Sequence, residues 1–191
     1  MEIVVASSNK KKRAEIQSIL GNLGIELVPA EETISVDVIE DADSFSGNAK
    51  KKAEAFAKAN NKPALADDSG LCVDALSSAP GVFSARFAGP DASDSDNNIK
   101  LLRELSGLQN RSAHFICALH LAFPDSTPPL TAKGKVDGSI LPEIVGNGGF
   151  GYDPLFFCPE LGKAFAEATP EEKASVSHRG RALRALAEAL E

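Results

Sequence analysis

Residues 113–123 constrain the fold of this chain more than any other stretch. Phe115, Cys117, Leu119, Leu121 and Phe123 recur at every second position, with His114, Ile116, Ala118 and His120 between them. Period two is the repeat of an extended strand. A long strand that is mostly apolar on both faces belongs to a sheet covered on one or both sides. Such a strand needs partners. Residues 2–7, short and β-branched, read as a buried strand. Residues 25–29 read as a second strand and residues 64–66 as a third, ending in Asp67-Asp68-Ser69-Gly70. Further strands are expected over 130–136 and 139–145, joined by a turn at Asp137-Gly138. Another is expected over 155–157, after a glycine-rich loop at 146–151.

Helices fill the intervals. Ser8 and Asn9 are good N-cap types ahead of Ala14, Ile16, Ile19, Leu20 and Leu23, with Gly21 and Gly24 ending the pattern. A second helix starts near Ser44 and runs to about residue 59, with Phe45, Ala49, Ala53 and Phe56 spaced three or four apart as a core-facing stripe. Ser93 or Asp94 caps a third, containing Ile99, Leu101, Leu102 and Leu105. Thr169-Pro170-Glu171-Glu172 is a capping box with proline at the first helical position, and Ser177 precedes a last helix carrying Leu183, Leu186, Ala187 and Leu190. Strands alternating with helices and then a run of strands imply an α/β sheet of mixed direction.

Composition narrows the function classes. A net charge of −7 argues against a general nucleic-acid binder, whose footprint is basic. No apolar run approaches the roughly 20 residues of a membrane span. Residues 1–7 are followed, not preceded, by their lysines, the wrong order for a secretory leader, so a cytoplasmic protein is expected. Cys72, Cys117 and Cys158 lie more than forty positions apart. That spacing makes neither a zinc knuckle nor a redox pair, and buried reduced thiols are the expectation.

Several residues suggest chemistry. Asp67 and Asp68 place two carboxylates at a strand end, able to hold Mg²⁺ or to accept a proton from water; the same four residues also read as an ordinary turn. Ser8-Asn9-x-x-Lys12 at a helix start offers N–H groups and a cation to phosphate oxygens. Asn48 and Lys52 share a helix face, and Glu40 lies just ahead of it. Glycines around Phe150 allow a flat ligand to approach the ring. Lys173 and Ser177-His178-Arg179-Gly180 add donors near helix ends, whereas His114 and His120 read as residues of the sheet. Cationic donors, carboxylates, a stacking ring and no nucleophilic triad point together to phosphoanhydride chemistry on a nucleotide.

These motifs resemble, from end to end, those of the inosine triphosphate pyrophosphatase family, the XTP/dITP diphosphatases. The matching segments are Ser8-Asn9-x-x-Lys12-x-x-Glu15, Ser44-Phe45-x-x-Asn48-Ala49-x-x-Lys52-Ala53 and Ala66-Asp67-Asp68-Ser69-Gly70-Leu71. They continue with Pro80-Gly81-Val82-Phe83-Ser84-Ala85-Arg86, Gly149-Phe150-Gly151-Tyr152-Asp153-Pro154 and Ser177-His178-Arg179-Gly180. The resemblance implies one elongated α/β domain over residues 1–191, with two lobes, a long mixed sheet flanked by helices and a cleft between the lobes. It implies a homodimeric, Mg²⁺-dependent enzyme that cleaves inosine, deoxyinosine and xanthosine triphosphates to monophosphate and pyrophosphate. Asp68 matches the proton acceptor, and Glu40 with Asp68 the metal site. Ser7, Ser8, Asn9, Lys12, Lys52, Asp67, Ser69 and Lys173 match the phosphate side. Phe150, Gly151, Tyr152, Asp153, His178 and Arg179 match the base side. The chain departs from the family in having Glu40-Asp41-Ala42 for the usual Glu-Thr-Gly, and Gly47 for a usual Glu; Asp41 or Asp43 is available to compensate. A pyrophosphatase for pyrimidine or modified nucleotides and a non-catalytic nucleotide sensor stand as the alternatives.

Overall fold

The structure, a computed structural model, describes residues 2–190; Met1, at the head of the apolar opening stretch, and Glu191 lie outside the described residues. In chain order the elements are β1 (Glu2–Val5), α1 (Lys10–Asn22), β2 (Glu26–Leu27), α2 (Phe45–Asn60), β3 (Ala64–Val73), α3 (Asp94–Glu104), β4 (Ser112–Ala122), β5 (Leu130–Ile140), β6 (Phe156–Cys158), β7 (Lys163–Ala164), α4 (Pro170–Val176) and α5 (His178–Glu188). The strands form one sheet in the order β2-β1-β3-β4-β5-β6-β7. β1 pairs in parallel with β2 and β3, whereas β5–β6 and β6–β7 are antiparallel. The sheet is mixed, and the chain is an α/β fold.

Contacts divide the chain into two units. The first comprises residues up to Asp68, Cys117–Gly134 and residues from Arg179 onward. Its core gathers Val4, Ala6, Val28, Ala53, Phe56, Ala57, Ala64, Ala66 and Ala122. Of the stripe expected on α2, Ala49, Ala53 and Phe56 are buried and Phe45 is half-buried, and each larger apolar side chain removed from water there contributes about 1.5–3 kcal/mol. The second unit comprises Ser69–Ile116 and Lys135–His178. Its core is larger and more aromatic, with Phe115 against Phe156 at 4.7 Å and Phe156 against Phe165 at 5.0 Å between ring centroids.

Helix starts follow the expected caps. Asn9 accepts from the N–H groups of Lys11 and Lys12, and Ser44 from that of Gly47. Ser93 and Asp96 form a reciprocal capping box, as do Thr169 and Glu172. All three cysteines are buried and none is in a disulfide.

The strands depart from expectation in particular places. Asp67-Asp68-Ser69-Gly70 is no strand end: β3 runs unbroken through it. Ladder pairing and the ionic partners described below override the turn preference of these residues. Asp137-Gly138 is likewise no turn, and β5 is one strand where two were expected. A Cβ at Gly138 would lie 2.4 Å from the Phe157 carbonyl oxygen and 2.5 Å from the Phe156 ring. The glycine admits a neighbouring backbone, the usual meaning of glycine inside a strand. β2 is shorter than expected, β6 sits one residue later, and the brief β7 had no period to reveal it.

Candidate functional site

In the first unit, charged side chains gather around the middle of β3. Successive strand residues point to opposite faces, so Asp67 and Asp68 address different helices. Asp67 is fully buried and receives the Arg179 guanidinium, Nη2 at 2.9 Å and Nε at 3.3 Å, with Lys12 Nζ at 3.3 Å. Glu15, one turn beyond Lys12 on α1, takes another nitrogen of Arg179. Asp68 faces α2. Its Oδ2 accepts from Asn48 Nδ2 at 3.0 Å, and its Oδ1 lies 3.9 Å from Lys52 Nζ. Lys52 in turn donates to Glu40 Oε2 and to the Asp67 carbonyl, each at 2.9 Å.

The two neighbouring carboxyls therefore hold protons differently. Burial raises the proton affinity of Asp67, but Lys12, Arg179 and Lys52 outweigh it and hold that carboxyl far below the usual carboxylate range. At Asp68 burial wins over the attraction of Lys52, the Asn48 hydrogen bond and Lys12, with Glu40 adding to it, so its affinity lies above the ordinary value. Adjacent acids pushed apart in this way can take different roles. Asp67 is a fixed anion, and Asp68 is the better proton acceptor.

Glu40 and Asp68 also answer what could hold a hard cation. Both turn oxygens towards the same Lys52 ammonium. No group of three or more His, Cys, Asp or Glu side chains able to hold a metal occurs among the described residues. Two carboxylates fit Mg²⁺ bound jointly with waters and substrate phosphates, its usual mode, rather than an all-protein cage.

In the second unit, the loop before β6 carries the other group. Asp153 is buried, and its Oδ2 accepts from the Phe150 N–H at 2.9 Å and from Lys173 Nζ at 2.6 Å. The same ammonium stands 4.6 Å from the centroid of the Phe150 ring. Gly149 has φ +69°, and a Cβ there would meet the Asp153 carboxylate at 2.1 Å. The loop therefore needs glycine at this position. Tyr152 is buried and donates its hydroxyl to the Ser84 carbonyl at 2.8 Å. His178 is buried with its ring stacked on Phe115, centroids 4.8 Å apart and planes 12° from parallel.

The structure thus gathers Lys12, Glu40, Lys52, Asp67 and Asp68 in one unit, and Phe150, Tyr152, Asp153 and Lys173 in the other. Ser7 is half-buried and its Oγ accepts from the Asn9 N–H, while Ser8 and Asn9 are exposed at the start of α1. Ser69 follows Asp68 on β3 and is half-buried, and Gly151 sits inside the loop. Two residues have partners that the sequence did not reveal. Lys173, assigned to the phosphate side, is with the glycine loop on Asp153. Arg179, assigned with His178 to the base side, is on Asp67 and Glu15. Two others were missed as site residues. Asn48, noted only for sharing a face with Lys52, carries Asp68; Glu15, visible only as a motif position, carries Arg179.

Comparison with known proteins gives the family and the fold. The model of the Ham1 family matches residues 3–189. A dITP/XTP pyrophosphatase of Syntrophobacter fumaroxidans is 50% identical over 182 residues, covering 95% of this chain and 78% of the relative. One of Desulforamulus reducens is 47% identical over 193 residues, covering 100% and 96%. A solved HAM1 protein from Coxiella burnetii superposes with a TM-score of 0.89 at 44% identity, covering 100% of this chain and 98% of that one.

Proposed function

The chain belongs to the Ham1 family, and on that premise we propose that it hydrolyses inosine, deoxyinosine and xanthosine triphosphates to the monophosphate and pyrophosphate, removing non-canonical purines from the nucleotide pool. The observation that carries the chemistry is the Asp67–Asp68 pair, adjacent on β3, with Asp67 enclosed by Arg179 and Lys12 and Asp68 held by Asn48 beside Lys52. The names and near-complete coverage of the relatives support the substrate class.

Asp68 is the group for the proton. Its Oδ2 is fixed by Asn48, which orients the carboxylate to accept a proton from a water. The water oxygen bonds to the α phosphorus as the bond from that phosphorus to the α–β bridging oxygen breaks, and pyrophosphate leaves with that oxygen. Lys12, Lys52 and the N–H groups opening α1 offset the triphosphate charge, with Ser7, Ser8, Asn9 and Ser69 as further hydrogen-bonding groups. Positioning and charge supply most of the catalysis in such transfers. Glu40 and Asp68 are the residues that would hold Mg²⁺, whose contribution when bound is to neutralise phosphate oxygens. Asp67, closed off by Arg179 and Lys12, holds those cations in place.

Phe150, Gly151, Tyr152 and Asp153 form the base segment, with the Phe150 ring as the stacking surface. With the Arg179 guanidinium on Asp67 and Glu15, His178 is the donor we assign to a 6-oxo group. Adenine presents an amino group there, and an unmatched buried donor discriminates strongly. Lys173 supports this segment through Asp153.

The test is pyrophosphate release from inosine triphosphate with and without Mg²⁺, with orthophosphate followed in parallel. Metal-dependent pyrophosphate without orthophosphate is expected. Orthophosphate would mean a different phosphatase, and tight binding without product would mean a sensor. We further propose a cytoplasmic homodimer, the dimer to be checked by light scattering; no helix among the described residues is long and apolar enough to cross a membrane.

A further inference from the structure

We infer that Asp94 and Asn98 on α3 are positioning residues for the base segment, holding Gly151 by both of its backbone polar groups and thereby setting base discrimination. The Gly151 N–H donates to Asp94 Oδ2 at 2.7 Å, and Asn98 Nδ2 donates to the Gly151 carbonyl at 2.9 Å. The two side chains are four apart, one above the other on a single helix face. Gly151 has φ +61° and no side chain of its own to pack, so these two bonds are its attachment to the rest of the unit. It stands between Phe150 and Tyr152, where a peptide rotation would move the Phe150 ring.

The anchor itself is firm. α3 begins with the Ser93–Asp96 capping box and buries Leu101. Beside Asn98, Asn97 accepts from the Ala88 N–H at 2.8 Å and donates to the Ala85 carbonyl at 3.1 Å. Asn98 is 3% exposed, and its Oδ1 has no hydrogen-bond partner among the described residues. An acceptor buried without a partner is unfavourable, so the side chain is not there for its own satisfaction; the bond from its Nδ2 is what it provides. Preorganisation of this kind lets a small set of groups read a ligand without first being ordered by it.

The inference rests on the assignment of residues 150–153 to the base, and the experiment separates the two. The chain has one tyrosine, Tyr152, and no tryptophan, so its intrinsic fluorescence reports this loop whether or not the enzyme turns over. Asp94→Ala and Asn98→Asp would be compared with wild type and with Ser95→Ala, an exposed position on the same turn. We expect stronger acrylamide quenching of Tyr152 in both variants. We also expect the inosine-to-adenosine triphosphate ratio of kcat/KM to fall by about tenfold, chiefly through KM for inosine triphosphate. Unchanged quenching overturns the clamp. Increased quenching with an unchanged ratio overturns the assignment of the loop to the base, and the specificity role with it. Asp94 is exposed, so its variant decides the matter even if Asn98→Asp fails to fold.

Discussion

Asp68 has neighbours whose removal separates orientation from chemistry. Asp68→Asn should abolish turnover while inosine triphosphate binding, measured by calorimetry, is largely kept. Asn48→Ala removes the bond to Oδ2 and should lower kcat by about tenfold or more with little change in KM, the pattern of an interaction used mainly in the transition state. Arg179 behaves differently because it is fully buried between two carboxylates. Arg179→Ala leaves the buried Asp67 without its hydrogen-bonded guanidinium and should destabilise the fold by about 3–5 kcal/mol in urea unfolding. Asp67 and Asp68 were legible as a pair, since adjacent carboxylates announce themselves. Their division of labour came only with the family resemblance, because physically it depends on which helix each faces, and that depends on β3 continuing through both. The partners of Arg179 were hidden for a related reason. That residue is adjacent to His178 in sequence, yet the two belong to different units.

Elements were most legible where a period runs long, as in β4 and α2, or where a cap marks a start, as at Ser44 and Thr169. They were least legible where glycine or aspartate serves packing instead of turning. Gly138 is the clearest case. Gly138→Ala would drive a methyl into the β6 backbone and the Phe156 ring, and should cost about 1–3 kcal/mol or more, as overpacking does. Gly47 makes the converse argument: a Cβ there would meet the Ala42 methyl at 2.7 Å. Gly47→Ala alone should therefore destabilise, whereas adding Ala42→Gly should recover part of the loss. A thermal-unfolding double-mutant cycle measures that coupling. Because the Asn48 Oδ1 accepts from the Ala42 N–H at 2.9 Å, a shift at this contact should also be felt at Asp68.

For the whole molecule, acid sensitivity follows from the sheet. His120 is buried in β4, with Nε2 lacking a partner among the described residues. Burial, reinforced by Lys50 and opposed by Glu54, lowers its pKa below the ordinary value. In the unfolded chain the group titrates near 6.5. Between that pH and the lower folded value the unfolded state binds more protons, so stability rises with pH across this window. Stability should thus fall as pH drops below about 6.5. His120→Phe should reduce the slope between neutral and mildly acidic pH in denaturant titrations. His114 shifts in the same direction and should leave a residual slope.

The Asp67–Arg179 pair also has a consequence in time. The first unit is assembled from three separated stretches, and Arg179 comes from the third. A ribosome releases β3, with its two aspartates, long before it reaches α5. Throughout that interval Asp67 is without the guanidinium that most nearly encloses it. The second unit, whose stretches end at His178, has all its residues one position sooner. Until Arg179 is made, the cations that face Asp67 are those of Lys12 and Lys52, both synthesised earlier. Activity should appear late in synthesis, only once α5 has emerged.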